Sequence, residues 1–342
     1  MAAETIRNNK TDMVKVREDY AMTGDGQVDI EGWVQQIASQ THLEDPDQFR
    51  QACEKAAEID LQAFRQDRQW APGSSSFRIG IEMAQVLAEL HLDQASLVAA
   101  ILYRAVREER VPLETIRKEF GDEVAGLING VQQMAAISSI HHPLKGNVLG
   151  QSEGQLDNVR KMLVTMIDDV RVALIKLAER TCAIRAVKDA PEEKRMRVAR
   201  EVFDIYAPLA HRLGIGHIKW ELEDLSFRYL HESAYKKIAK LLDEKRLDRD
   251  SYIKRVIETL QTELKAYGIE GELSGRAKHI YSIWRKMRRK GIDFSQVYDV
   301  RAVRILVPEV RDCYAALGIV HTLWRHIPNE FDDYIANPKE NG

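Results

Sequence analysis

The sequence is poor in cysteine and has no long apolar run. Its 342 residues include only three cysteines, which lie far apart and lack the spacing of a metal site: Cys53, Cys182 and Cys313. This scarcity excludes a disulfide framework and indicates a reducing compartment, where the thiols would serve as small buried apolar groups. No segment approaches the roughly 18 apolar residues of a membrane span, and the N-terminus lacks a signal-peptide core. We therefore expect a cytoplasmic protein without a membrane partner.

A large excess of charge of either sign is also missing. The chain has 50 Lys and Arg against 53 Asp and Glu, a net charge of -3 at pH 7. This balance argues against nucleic-acid binding through bulk positive charge. With 44% hydrophobic and 30% charged residues, the chain can bury a sizeable core beneath a solvated surface. Its length fits about two domains.

Apolar residues recur with helical spacing over most of the first 230 residues. This pattern predicts helices at residues 30–39, 46–64, 79–90, 94–108, 113–119, 123–137, 155–167, 171–187, 191–213 and 218–230. A polar stretch at residues 138–154 is interpreted as a mobile loop. Pro208 is expected to kink or interrupt the helix that contains it, because proline has no backbone N–H.

The pattern changes near residue 268 to alternating helix and strand. A charged helix is predicted at residues 235–267 and ends at Gly268, which suits a helix C-terminus. Strands are predicted at 269–274 and 300–307, and a last helix at 311–325 with an apolar face of Tyr314, Leu317, Val320 and Trp324. This order is an α/β pattern.

The predicted domains follow from these changes. They are a flexible N-terminus (1–27), a helical domain (28–190), connecting helices (191–234) and an α/β domain (235–342). Either Met1 or Met13 fits as the initiating residue.

A basic amphipathic helix is predicted between the two strands. No acidic residue falls between Gly275 and Ile292, whereas seven residues there are cationic: Arg276, Lys278, Arg285, Lys286, Arg288, Arg289 and Lys290. An apolar stripe of Ile280, Ile283, Trp284 and Met287 is expected to face a core, with Lys278, Ser282, Arg285 and Arg289 along the other side. Asp299 precedes the second strand and is a plausible Mg²⁺ ligand beside bound phosphates. Composition alone also fits a merely solvated basic helix.

Three segments resemble the signature of the RelA/SpoT family of (p)ppGpp enzymes. They read Gly275-Arg276-x-Lys278-His279-x-Tyr281-Ser282-Ile283-x-x-Lys286-Met287, Tyr298-Asp299-x-x-Ala302-x-Arg304 and Asp333-Tyr334-x-Ala336-Asn337-Pro338-Lys339-x-Asn341-Gly342. Fixed offsets in three separated segments make this resemblance specific. It implies a mainly α protein, in which a degenerate all-helical HD-type domain precedes a truncated α/β nucleotidyltransferase-like synthetase domain.

The resemblance implies a reaction and a site. The reaction is ATP-dependent pyrophosphate transfer to the 3′-OH of GDP or GTP, which makes (p)ppGpp in the stringent response with Mg²⁺ as cofactor. Arg276 and Lys278 would contact the ATP phosphates, Ser282 would donate a hydrogen bond, and Lys286 would add a cation. Asp299 would hold the metal ion and Arg304 would brace the site. The remaining substrate contacts would be His279, Tyr281, Lys339 and Asn341, whereas Trp284 is expected in the core.

The helical half resembles the hydrolase domain of the family, but the residues of its Mn²⁺ site are replaced. The family's His-Asp pair falls on Tyr103-Arg104, a further His on Ile79, and the Asp of a later motif on Glu179. The following Glu-Asp pair falls on Arg107-Glu108. Because Mn²⁺ needs oxygen and imidazole donors, the resemblance implies an inactive domain with a structural or regulatory role.

The acidic segment Glu330-Phe331-Asp332-Asp333 resembles the version found in monofunctional synthetases of the family. Glu330, Asp332 and Asp333 would then set a preference for GDP over GTP. The resemblance also implies that family members continue beyond the position of Gly342 with a guanine-stacking tyrosine and, later, a strand that carries a catalytic glutamate. Both are absent here, as are the C-terminal regions through which the family contacts the ribosome and tRNA.

Three functions stay open from the sequence. The first is a (p)ppGpp synthetase represented by its N-terminal part. The second is a non-catalytic nucleotide-binding or regulatory interaction fragment. The third is an RNA-binding fragment that uses the cations of residues 285–290, for which binding would depend steeply on salt.

Overall fold

The computed structural model describes residues 28–66, 75–140, 169–244, 246–297, 300–327 and 331–338. Within these ranges the chain forms two compact units, one ending at His231 and the other beginning at Glu232. The predicted N-terminal segment 1–27, most of the predicted loop 138–154 and the helix predicted at 155–167 lie outside the described residues.

The first unit is built mainly from α-helices. They are α1 (Ile30–Gln40), α2 (Pro46–Arg65), α3 (Ser76–Glu89), α4 (Gln94–Arg107), α5 (Leu113–Ile140), α6 (Val170–Ala186), α7 (Glu192–Glu201), α8 (Ala207–Arg212) and α9 (Gly216–Leu230). The helices predicted within the described part of this unit are thus confirmed, with ends that shift by a few residues.

Side chains with short polar groups fix where several of these helices begin. The carboxylates of Asp29, Asp45 and Asp93 each accept a hydrogen bond from a backbone N–H of the first turn of α1, α2 and α4. The Ser75 hydroxyl does the same for α3. Such N-caps satisfy donors that have no partner inside the helix, and each is typically worth about 1 kcal/mol.

Helix α4 is the centre of the helical unit. Every residue from Ser96 to Val106 is buried, so this helix has no solvent face. It packs against α2, α3, α5 and α6. A helix that is apolar on nearly all sides can be stable only inside a core, where other helices cover its whole circumference.

Two interruptions bend the helical unit. Gly121 divides α5 with a φ of 95°, which explains the two separate helical patterns at 113–119 and 123–137. Between α7 and α8, a π-helical segment at Val202–Tyr206 precedes Pro208. There the N–H of Ala207 donates to the carbonyl of Val202, a widened turn next to a residue that cannot donate. The predicted interruption at Pro208 is confirmed.

The second unit contains both helices and strands. Its elements are α10 (Glu232–Glu244), α11 (Arg246–Ala266), β1 (Glu272–Ala277), α12 (Ile280–Lys290), a 3₁₀ turn (Phe294–Gln296), β2 (Arg301–Leu306) and α13 (Val310–Leu323). The two strands pair antiparallel, with Glu272 opposite Leu306 and Ala277 opposite Arg301. The left-handed Gly268 follows α11, as predicted.

Three predicted boundaries in this unit are wrong. The charged pattern at 235–267 contains two helices, because α10 packs against α12 whereas α11 packs against the sheet and α13. The first strand occupies Glu272–Ala277 instead of 269–274, since its pairing with β2 continues to Ala277. Lys278 consequently lies between β1 and α12 and not on the basic helix.

Two predicted apolar faces are only partly buried. On α12, Ile280 and Ile283 are buried, but Trp284 and Met287 are half-buried. On α13 the predicted face is wrong at Tyr314 and Trp324, which are 42% and 36% exposed. The core of this unit instead joins residues of α11 and α13, namely Leu264, Ala316 and Ile319.

The structure bears on two expectations from the sequence, the burial of the cysteines and the lack of a membrane-spanning segment. Cys53 and Cys182 are buried as predicted, whereas Cys313 is exposed because it lies on the outer side of α13. Across the described ranges, none of the helices has both the length and the apolar character that crossing a membrane requires.

Gly80 allows α3 and α4 to approach closely. A Cβ at this position would lie 2.7 Å from the backbone carbonyl oxygen of Ile101. We expect Gly80→Ala to lower the free energy of unfolding by about 1–3 kcal/mol, because α3 must move away from α4. Gly126→Ala in α5 is the matched control, since nothing lies within 4 Å of a Cβ there. Urea denaturation should show the control unchanged or stabilised by up to about 1 kcal/mol. Equal effects would contradict this account of α3–α4 packing.

Candidate functional site

The pairing of β1 with β2 brings two of the three signature segments together. Arg276 lies opposite Ala302 in the register, and Ser274 lies opposite Arg304. Ala277, which immediately precedes Lys278, pairs with Arg301. The sheet therefore places the backbone of the first signature segment beside that of the second.

Gly275 has a packing role that the sequence pattern did not show. A Cβ at this position would lie 2.8 Å from the Cγ2 atom of Ile253 on α11. The glycine thus lets β1 lie directly against α11. A strand held in this way fixes the backbone of Arg276 in the sheet, with Lys278 directly after the end of the strand.

The N-terminus of α12 follows Lys278 almost directly. His279 is the N-cap residue and makes no side-chain hydrogen bond to the first turn of the helix. Ser282 lies in that first turn and is half-buried. Backbone N–H groups at a helix N-terminus attract phosphate, and a preceding lysine adds positive charge. This end of α12 has the composition of a phosphate-binding site.

The solvent side of α12 carries alternating aromatic and cationic groups. The rings of Tyr281 and Trp284 lie 5.9 Å apart between centroids. The Arg285 guanidinium lies 6.0 Å from the Tyr281 ring, and that of Arg288 lies 5.7 Å from the Trp284 ring. These cation–π contacts hold the arginines near the helix and explain why Trp284 is only half-buried. Lys286 on the same helix is half-buried.

Several predicted site residues belong to parts of the chain outside the described ranges. Tyr298, Asp299, Glu330, Lys339 and Asn341 lie outside the described residues, and only the backbone position of Arg276 is described.

The positions that correspond to hydrolase residues lie mainly on α4 and α6. Glu179 on α6 accepts a hydrogen bond of 2.7 Å from Nη1 of Arg107 on α4. The Tyr103 ring lies 6.0 Å from the same guanidinium. Ile79 on α3 packs against the apolar core, and its side chain has no polar atom. The fold thus brings together Tyr103, Arg107 and Glu179.

Glu179 is surrounded by positive charge. Besides Arg107, it accepts hydrogen bonds from Nζ of Lys176 at 2.8 Å and from two nitrogens of Arg180 at 2.6 and 2.7 Å. Only 2% of its side chain is exposed. Arg180 also pairs with Glu201, which links α6 to α7. Both oxygens of the Glu179 carboxylate are therefore occupied by cationic donors.

A second ion-pair network surrounds Arg104. Its guanidinium donates to Glu108, the residue that follows α4, and Glu108 also accepts from the Ser76 hydroxyl at 2.9 Å. Arg110 pairs with Glu108 at 2.6 Å and with Asp60 at 3.1 Å. This network connects α2, α3 and α4, so Arg104 acts as part of the packing between three helices.

The pKa values reflect this environment. Burial would raise the pKa of Glu179, but the positive charges of Arg180, Lys176 and Arg107 outweigh burial and hold it well below 4.5. Burial lowers the pKa of Lys176 to about 8 despite the neighbouring carboxylate. Burial and Glu179 together raise the pKa of Tyr103 to about 12. Glu179 is thus a permanently charged anion at neutral pH.

These side chains do not fit a Mn²⁺ site. Ile79 and Arg104 have no side-chain atom that can coordinate a metal cation, and both oxygens of Glu179 accept hydrogen bonds from cationic side chains. Among the described residues, no group of three or more His, Cys, Asp or Glu side chains is arranged to hold a metal ion.

Comparison with known proteins gives matches in both units. The family model described as "HD domain" matches residues 52–216, and the one described as "Region found in RelA / SpoT proteins" matches residues 275–342. The chain is 46% identical over 330 residues to the protein named GTP pyrophosphokinase from Escherichia coli K12, covering 96% of this chain and 43% of that protein. Proteins of the same name from Photobacterium angustum and Haemophilus influenzae are 49% and 48% identical, each over 77% of this chain and 35% of the relative. The chain thus spans less than half the length of these relatives.

Replacement of Glu179 tests the buried cationic cluster. We expect Glu179→Gln to lower the free energy of unfolding at pH 7 by about 3–5 kcal/mol, because three cations lose their counter-ion. Since folding depresses the pKa of Glu179, its contribution is fully present above pH 4.5 and is lost as the pH falls through the folded pKa. The difference in the free energy of unfolding between the unsubstituted chain and Glu179→Gln should therefore become smaller below about pH 4.5.

The control is Glu54→Gln. Among the described residues, the exposed Glu54 side chain makes only a long ion pair of 3.9 Å with Arg50. Urea denaturation from pH 7 to pH 4 should show that the free energy of unfolding of this variant is lower by at most about 1 kcal/mol. If Glu179→Gln behaves like the control, the cluster does not stabilise the fold.

Proposed function

The chain belongs to the RelA/SpoT family, and from this premise we propose that it carries the synthetase function of that family. The reaction transfers pyrophosphate from ATP to the 3′-hydroxyl of GDP or GTP and makes (p)ppGpp. The main support is the β1–β2 register, because it sets the backbone of Arg276 beside the strand that follows Asp299 in the chain, and Lys278 comes directly after the last paired residue of β1.

The proposed transfer is a single displacement at phosphorus. The 3′-oxygen of the guanine nucleotide forms a bond to the β-phosphorus of ATP. The bond from that phosphorus to the oxygen bridging to the α-phosphorus breaks, and AMP leaves with that oxygen. The proton of the 3′-hydroxyl passes to a base. Such reactions depend mainly on positioning and on the neutralisation of charge in the transition state.

The cations of the second unit supply that neutralisation. In this proposal Arg276 and Lys278 bind the ATP phosphates, which also accept hydrogen bonds from the first turn of α12 and from Ser282. Lys286 adds a further cation and Arg304 braces the site from β2. His279 and Tyr281 contact the nucleotide at the start of the helix, where His279 leaves the N-terminal donors uncapped.

Asp299 is the proposed Mg²⁺ ligand. When bound, Mg²⁺ would neutralise phosphate charge and hold the β- and γ-phosphates in a fixed orientation. One carboxylate is sufficient for such a site, because Mg²⁺ commonly completes its shell with phosphate oxygens and water.

The guanine nucleotide is proposed to bind through the third signature segment. Lys339 and Asn341 would contact it, and the acidic residues Glu330, Asp332 and Asp333 would favour GDP over GTP. In the whole protein, further regions would connect this activity to the ribosome and tRNA in the stringent response, in the cytoplasm.

Nucleotide binding and product formation test this proposal. We expect Lys278→Ala to weaken the binding of ATP with Mg²⁺ by roughly tenfold or more, because a charge-assisted hydrogen bond is lost. Lys265→Ala, an exposed lysine at the end of α11, is the control and should bind normally. Isothermal titration calorimetry measures the affinity of both variants for ATP in the presence of Mg²⁺.

Activity is measured with radiolabelled ATP and either GDP or GTP. The protein for this assay is a chimera in which the E. coli relative supplies the sequence beyond the matched region. It should make ppGpp with GDP faster than pppGpp with GTP, and Lys278→Ala should abolish both products. Binding without any product would favour the non-catalytic nucleotide-binding fragment. RNA binding that falls steeply with salt, in the absence of ATP binding, would favour the RNA-binding function.

We also propose that the helical unit has no (p)ppGpp hydrolase activity. The support is the occupation of the Glu179 carboxylate by three cationic side chains and the pairing of Arg104 with Glu108. A metal ion at this place would have to displace several buried ion pairs, each of which is costly to break. The unit then serves as a structural or regulatory body.

Incubation of the purified chain with ppGpp and Mn²⁺ tests this second proposal. We expect no release of pyrophosphate above the level in buffer, whereas an active HD-type hydrolase should release it under the same conditions. Electron paramagnetic resonance measures the amount of Mn²⁺ bound to the chain and to Glu179→Gln. We expect the same amount in both, because Glu179 does not bind the ion. Release of pyrophosphate, or binding that the substitution removes, would contradict the proposal.

A further inference from the structure

The cluster around Glu179 contains more positive than negative charge. Its three cations are Arg107, Lys176 and Arg180, whereas its two carboxylates are Glu179 and Glu201. Lys176 keeps its charge at pH 7, since its pKa, although lowered by burial, is about 8. Only 2% of the Lys176 side chain and 11% of the Arg180 side chain are exposed. A buried excess of charge is costly, so an anion bound here would lower the free energy of the folded chain.

The adjacent ion-pair network does not offset this excess. There Arg104 and Arg110 face Glu108 and Asp60, so two positive groups are matched by two negative ones. The additional positive charge of the Glu179 cluster therefore has no counter-ion among the described side chains of either network.

Two groups of the cluster have hydrogen-bond donors that are not used. The Nζ atom of Lys176 carries three N–H groups, and within the described ranges it donates only to Oε2 of Glu179. The Tyr103 hydroxyl is completely buried and has no hydrogen-bond partner in the part of the chain that the structure describes. Buried donors without a partner destabilise the folded state, and such a donor in a native protein calls for an explanation such as a bound group.

The Tyr103 hydroxyl belongs to the same cluster. Burial and the negative charge of Glu179 raise its pKa to about 12, whereas the positive charges of Arg107, Arg180 and Arg104 act in the opposite direction. The hydroxyl therefore keeps its proton at neutral pH and can donate it in a hydrogen bond. Arg107, whose guanidinium lies 6.0 Å from the centroid of the Tyr103 ring, is 39% exposed and extends from this interior to solvent.

We propose that Tyr103, Arg107 and Lys176 bind a small oxyanion of the phosphate class without a metal ion. The three side chains supply a hydroxyl, a guanidinium and an ammonium group, and phosphate oxygens accept several such hydrogen bonds at once. The bound anion also balances the additional positive charge. Two sources share this chemistry, namely free inorganic phosphate or pyrophosphate, and the phosphate end of a nucleotide. None of the three residues belongs to the proposed ATP site.

Isothermal titration calorimetry with inorganic phosphate, in a phosphate-free buffer, measures binding in the full chain and in three variants. Tyr103→Phe removes only the buried hydroxyl and keeps the ring, so the fold should be retained. Tyr229→Phe, at a half-buried tyrosine of α9 outside the cluster, is the matched control. Lys278→Ala removes the lysine that precedes α12 and thereby identifies phosphate bound by the second unit.

The unsubstituted chain should bind phosphate at a site that Lys278→Ala and Tyr229→Phe leave unchanged. Tyr103→Phe should weaken this binding by roughly tenfold or more, because a hydrogen bond to a charged acceptor is lost. Without phosphate, Tyr103→Phe should have a urea midpoint at least as high as that of the unsubstituted chain, since it removes a buried hydroxyl without a partner. Added phosphate should raise the midpoint of the unsubstituted chain and of Tyr229→Phe more than that of Tyr103→Phe.

Titration of Lys278→Ala with pyrophosphate and with ADP distinguishes the two sources of the anion. Tighter binding of pyrophosphate than of ADP supports a free anion, whereas equal binding supports the phosphate end of a nucleotide.

Three results would overturn the inference. The first is that the unsubstituted chain does not bind phosphate. The second is phosphate binding that Lys278→Ala abolishes or that Tyr103→Phe leaves unchanged, because the anion would then lie elsewhere. The third is a clear loss of stability in Tyr103→Phe without phosphate, which would show that the hydroxyl has its partner within the protein.

Discussion

The helical unit depends on the enclosure of α4. Because other helices cover the buried stretch Ser96–Val106 on all sides, the charge of Arg104 within it must find a counter-ion inside the protein. Arg104 finds Glu108, and Arg107 finds Glu179 on α6. These pairs in turn determine which neighbouring residues can be charged, since Lys176 and Arg180 also require Glu179. The arrangement of α2, α3, α5 and α6 around α4 is therefore both an apolar core and a set of buried ion pairs.

A different constraint organises the second unit. Residues 277 and 301 are distant in sequence, and only the antiparallel pairing of β1 with β2 makes them neighbours. Gly275 lets this sheet lie against α11, and the end of β1 leads almost at once into α12. The basic residues before and on α12 are thus held near the strand that follows Asp299. A phosphate site assembled from such separated segments requires that the sheet be formed correctly.

Both units use carboxylates as acceptors for several donors at once. Glu179 accepts from three cationic side chains, and Asp333 accepts from two backbone N–H groups and a tyrosine. A carboxylate with all its oxygens engaged stabilises the fold and is a poor ligand for a metal ion or substrate. Asp332, whose side chain is exposed, differs from both, although the sequence shows only an acidic residue in each case.

The sequence by itself determined most of the helices of the first unit, the change to an α/β pattern after Gly268 and the family resemblance of the signature segments. These features depend on local periodicity, on capping residues and on fixed motif spacing, all of which are visible in a linear chain. Only the tertiary structure decided that Lys278 lies outside α12, that Tyr314 and Trp324 face solvent, and that Glu179 gathers three cations. Each of these depends on which elements pack together. The strand β1 continues through Ala277 because β2 supplies hydrogen-bond partners up to that residue. Helix α13 buries Ala316 and Ile319 because these residues pack against Leu264 of α11. Contacts between residues far apart in sequence have no local signal, so a chain read in order cannot reveal them.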